Sequence, residues 1–139
     1  MQTAFAERDG QFSPDGRWVA YQSDESGHSE IYLRPFPGPG ERIQASIGAG
    51  QQVRWGHRGA EVFFIGAGQQ LISMPVAFTG HGLTLGKAVP LFRMEFDANF
   101  LTRQQYAVSP DDQRFLVNAV TDVVEPSSMR VILNWKGRP

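Results

Sequence analysis

One unit written three times constrains this chain more than any other feature. "FSPDGRWVAYQS" begins at position 12, "WGHRGAEVFFIG" at 55 and "VSPDDQRFLVNA" at 108, so the copies start 43 and 53 residues apart. Each has an apolar residue, a four-residue turn, linking positions and an apolar strand. A second strand follows in every copy, within "EIYLRPF", "QQLISMPV" and "SSMRVILNW", and copies one and two add short segments at "ERIQAS" and "AVPLF". A period of roughly forty to forty-five residues is that of a four-stranded propeller blade. The longer second spacing is predicted to carry "VAFTGHGLTLGKAVP" as a loop insertion.

The turn has a physical basis. Pro14 sets φ at the second position of a type I turn, Asp15 bonds locally at the third, and Gly16 accepts the positive φ of the fourth. Gly59 keeps that last position in copy two. Asp112 takes it in copy three, at a cost of roughly 1 kcal/mol for a non-glycine residue.

The remaining pattern is all-β. Short runs rich in Val, Ile, Phe, Tyr and Trp predict strands over 18–23, 30–34, 42–45, 52–55, 61–65, 71–76, 88–92, 105–108, 114–119 and 129–135. Trp18 to Tyr21, Val62 to Ile65 and Phe115 to Val117 are apolar at consecutive positions, so these strands are predicted to be covered on both faces, as in blades stacked around an axis. The expected architecture is a single partial β-propeller domain of about three antiparallel four-stranded blades, near 1–47, 48–95 and 96–139. Propellers typically have four to eight blades. The ring is therefore expected to be completed by a homo-oligomer, two chains forming six blades, or by the rest of a longer propeller protein. Trp18, Phe63 and Phe115 are predicted near the exposed blade faces.

Composition narrows the function classes. At 139 residues with 41% hydrophobic content the chain has the size and apolar material of one domain. Thirteen Lys and Arg against fourteen Asp and Glu leave a net charge of −1, without the basic footprint of a nucleic-acid binder. The absence of cysteine excludes disulfides and thiolate chemistry while fitting periplasm and cytoplasm alike. Neither a signal peptide nor a membrane span is expected in these residues.

Candidate chemistry is sparse. "SDESGHSE" gathers Asp24, Glu25, His28 and Glu30, oxygen and nitrogen donors for a metal, but their spacing matches no metal motif and a polar hairpin loop is the favoured reading. His57 and Arg58 form a possible anion-binding pair on the second turn, where a turn variant is again favoured. His81, between two glycines, is read as loop. There is no Gly-x-Ser-x-Gly elbow, and "GAGQQV" lacks the third glycine of a dinucleotide loop.

"FSPDGRWVAYQSDESGHSEIYLRPF", "VRWGHRGAEVFFI" and "YAVSPDDQRFLVNAV" resemble TolB-like, WD-type bacterial β-propeller repeats, and "VILNWKGRP" resembles the end of long proteins that carry them, often behind a serine/threonine kinase domain. No Gly-rich nucleotide loop, "HRD" or "DFG" is present. The resemblance covers about Gln11 to Trp135 and implies a scaffold for protein or ligand binding, with no catalytic residue carried over. The expectation is a non-catalytic scaffold without cofactor or metal that binds a protein or peptide and self-assembles. The expected contact loops are Asp24 to Ser29 and Ala77 to Gly86. The alternatives are the propeller portion of a hydrolase or peptidase with an axial or gating role, and a purely structural assembly unit.

Overall fold

The computed structural model describes residues 5–80, 82–96, 103–119 and 129–133. Strands β1 (Glu7–Phe12), β2 (Trp18–Ser23), β3 (Glu30–Pro35) and β4 (Ile43–Gln44) form the first sheet in that order. In the second, β5 (Gln51–Trp55), β6 (Glu61–Ile65), β7 (Gln70–Thr79) and β8 (Gly82–Leu85) lie in sequence order, and β9 (Val89–Arg93) also pairs with β7. The third contains β10 (Tyr106–Val108), β11 (Arg114–Asn118) and β12 (Met129–Leu133). Every pairing is antiparallel, and the one helical element among the described residues is the 3₁₀ turn Ala67–Gln69 between β6 and β7.

Each repeated turn joins the first and second strands of its sheet. The amides of Gly16, Gly59 and Asp112 donate to the carbonyls of Ser13, Gly56 and Ser109 at 2.8–2.9 Å, and all three residues have positive φ, +70°, +72° and +56°. A side chain with Cβ is strained there, which is why glycine recurs.

Among the described residues the three sheets have four, five and three strands. The supposed insertion is not a loop. β7 runs through Thr79 and pairs Val76–Thr79 with β8, while its other half, Gln70–Ser73, pairs with β9. Leu83 of β8 is buried with Val76 against the first sheet. β1 is absent from the predicted strands because "ERDGQF" is polar; most of it is exposed, and it is held by pairing with β2 and by the Trp55 indole, which donates to the Gln11 carbonyl.

Side chains alternate between two inter-sheet cores. Trp18, Ala20, Ile31 and Leu33 of the first sheet meet Val53, Trp55, Val62, Phe64 and Met74 of the second. The opposite face of the second sheet presents Phe63, Ile65 and Leu71 to Tyr106, Phe115 and Val117 of the third. Phe63 and Phe115 pack edge to face with centroids 5.1 Å apart. The second sheet is thus covered on both sides, as its consecutive apolar residues predict. The third sheet is not, since β11 alternates strictly between buried and exposed, and the first is covered in part, with Trp18, Ala20 and Tyr21 buried and Val19 half-buried. Trp18, Phe63 and Phe115, expected near open faces, are instead buried between sheets.

Candidate functional site

The loop joining β2 to β3 holds the polar cluster. Its residues do not converge. Asp24 Oδ1 accepts the Ala6 amide at 2.9 Å, and Glu25 pairs with Arg42 at 2.9 Å. Only His28 and Glu30 meet, Nε2 to Oε1 at 2.9 Å.

Glu30 is the unusual member, a fully buried carboxylate at the start of β3. Its Oε1 also accepts the Gly48 amide at 2.6 Å, and its Oε2 accepts the Ser46 hydroxyl. Ser46 Oγ in turn accepts the Ile31 amide at 2.8 Å. Serine, glutamate and histidine are therefore in contact, but in the wrong order for nucleophilic catalysis: the carboxylate, not the imidazole, receives the serine proton. Ser46 is also buried, with its oxygen occupied by a backbone amide. The arrangement ties the β2–β3 hairpin to the segment leading into the second sheet. Burying a carboxylate is tolerable only with such partners.

His57 and Arg58 lie on the turn between β5 and β6, and their backbone is held from the third sheet. Asp112 Oδ1 accepts the His57 amide at 2.7 Å and approaches its Nδ1 at 3.2 Å, while Oδ2 accepts the Arg58 amide at 3.1 Å. The pair lies on a turn, the favoured reading, and the Asp112 carboxylate already occupies its backbone amides. His81 lies outside the described residues.

Sequence reasoning did not find Asp112 as a bridging residue. Its signal was a charged residue at a glycine position, whose strain is offset by contacts 54 and 55 residues away. It also missed a buried network around Gln52, which donates from Nε2 to the Arg103 carbonyl at 2.8 Å and accepts the Gln105 amide at 2.8 Å. The Tyr106 hydroxyl donates to the Gln52 carbonyl at 2.7 Å, joining the second and third sheets. Burial pushes that phenol well above its ordinary range.

The displaced acids have structural causes. The Ser13 hydroxyl, then the Arg17 amide, hold the Asp15 carboxyl below its usual range; Ser109 and Gln113 do the same for Asp111. Both carboxylates stabilise turns, at opposite ends of the stack, and neither lines a cleft.

Apolar carbon is exposed at several places on the surface. A groove of about 390 Å³ lies between the first and second sheets, lined by Ala45, Ile47, Ala49, Phe64, Ile72 and Met74. Phe12 is 57% exposed on the first sheet, and Leu116 and Val131 are 37% and 56% exposed on the third. No helix among the described residues is long and apolar enough to cross a membrane.

No protein-family model matches the sequence, and no curated protein does. Solved structures do. TolB from Acinetobacter baumannii matches 93% of the chain with a TM-score of 0.65 at 13% identity, and oligogalacturonate lyase from Vibrio parahaemolyticus matches 100% with a TM-score of 0.58 at 12% identity. The chain spans 30% and 33% of those two proteins. At such identities the likeness establishes the fold: a TolB-like β-propeller arrangement of three blades.

Proposed function

We propose that this chain is a β-propeller scaffold that binds a protein or peptide and assembles with itself, without chemistry of its own. One observation carries the reading: His28 and His57 each meet an acid, Glu30 and Asp112, that is itself engaged in internal bonds, while aliphatic and aromatic side chains stand exposed on the groove and the end blades. Glu30 and Asp112 each accept several internal hydrogen bonds, whereas the groove beside Ile47 and the outer blade faces present aliphatic and aromatic carbon to solvent. Exposed apolar patches of this kind are a usual mark of contact surfaces.

Turnover of ester, peptide and oligogalacturonate substrates is expected to stay at the no-enzyme level. Glu30→Gln and His57→Ala are expected to lower the melting temperature and change nothing else. Turnover above background that disappears in either variant, with circular dichroism unchanged, overturns the scaffold reading. The second reading, a propeller portion of a hydrolase or peptidase with an axial ligand, draws on the lyase among the structural neighbours and on the polar first strands, with Asp9 on β1 and Arg54 on β5. The oligogalacturonate arm of the assay addresses it directly.

A further inference from the structure

The three blades repeat one contact, and the two unused halves of that contact match each other. Phe12, Trp55 and Val108 close the first strand of their blades, just before the turn. Trp55 and Val108 pack on the preceding blade, whereas Phe12, the same position in blade one, touches the Phe36 ring of its own blade and stands 57% exposed beside half-buried Val19. On the opposite face Ala20, Phe63 and Leu116 are equivalent. Ala20 and Phe63 are buried by the following blade, whereas Leu116 and its cross-strand partner Val131 are exposed.

The turns repeat the same logic. The fourth position of one turn meets the second position of the turn before it. A Cβ at Gly59 would stand 3.5 Å from Pro14 Cδ, so a proline there faces a glycine. Where the second position is His57, which has an amide to offer, the fourth position facing it is Asp112, which accepts that amide at 2.7 Å. Proline cannot donate, so the carboxylate would gain no such bond opposite it. The two unused positions are Pro110 of blade three and Gly16 of blade one, both exposed, and a Cβ at Gly16 would meet nothing within 4 Å. They form the proline and glycine combination already seen between Pro14 and Gly59.

We infer that the open face of blade three docks on the open face of blade one of a second copy of this chain, Leu116 and Val131 covering Phe12 and Val19, with Gly16 seated on Pro110. Two copies joined twice in this way close a ring of six blades, a head-to-tail contact made cyclic by a two-fold axis. The occupant follows from continuity with the interfaces inside the chain, which use the same positions. The inference rests on the scaffold reading for its meaning, but the two fail separately, one by mass and the other by turnover.

Light scattering and sedimentation of the full chain at micromolar concentration are expected to give twice its 15.5 kDa mass. Leu116→Glu and Val19→Glu should each give the single-chain mass with an unchanged circular dichroism spectrum, raising the dissociation constant on the order of a hundredfold or more. A wild-type chain that is monomeric and folded, a ladder of larger masses, or a dimer that survives Leu116→Glu each overturns the inference. A monomer would leave further blades of a longer chain as the occupant of these faces.

Discussion

At the scale of single residues, the decisive side chains are acids bound to backbone amides. Asp15 and Asp111 hold equivalent positions and make equivalent bonds, each accepting the turn serine hydroxyl and the amide two residues on. These bonds favour the ionised form. Their contribution to stability is present above the ordinary value of 3.8 and is lost as pH falls through the lowered value of the folded state. Carboxyl ¹³C titrations should place both midpoints below that of aspartate in an unstructured peptide, and Ser13→Ala should return Asp15 alone toward it. Asp112 works differently, across blades. Asp112→Ala removes both bonds to the second turn while keeping the strained φ, for an expected loss of about 2–3 kcal/mol. Asp112→Gly removes the bonds but also the strain, so its loss should be about 1 kcal/mol smaller. Urea midpoints of the two variants check the difference; equal losses would mean that the left-handed backbone is not opposing the fold. The turn residues were legible in the sequence because their bonds are local. The Asp112 bridge was not, since its partners are set by how blades stack.

At the scale of elements, β7 and β8 separate a loop from a structural hairpin. Glycine at 80, 82 and 86 makes the stretch look like a connection, and local composition supports that expectation. Burial overrules it. Leu83 lies in the core between blades one and two, while Thr84 beside it points to solvent. Leu83→Ala is therefore expected to cost about 2–4 kcal/mol and Thr84→Ala less than about 0.5 kcal/mol, measured by chemical denaturation. Similar values for both would restore the loop reading. β1 is the converse. Its polar residues carry no strand pattern, and pairing with β2 fixes it from outside. Strands with apolar neighbours on both faces, such as β6, were recognisable because burial on two sides removes the polar alternation. β11 shares part of that composition, yet its Leu116 face is open. Composition records what a face is suited to contact, not whether the contact is present.

At the scale of the whole molecule, three sheets packed face to face bury two aromatic cores and leave apolar side chains exposed on each end blade, Phe12 on the first and Leu116 and Val131 on the third. The likeness to propeller proteins about three times the length fits this arrangement. The candidate site changes character accordingly: His28, Glu30, His57 and Asp112 brace loops and turns, and exposed carbon lies on the groove and on the two end blades.

The sequence by itself determined the repeat, its turn chemistry and the all-β class, because these depend on φ preferences, nearby hydrogen bonds and apolar periodicity within a few residues. Only the tertiary structure decided that Glu30 and Asp112 are internal anchors, that the Gly-rich stretch is a buried hairpin, and that Leu116 is exposed while Phe115 is not. Those outcomes depend on which face meets which neighbour, and neighbouring blades are set by packing between residues tens of positions apart.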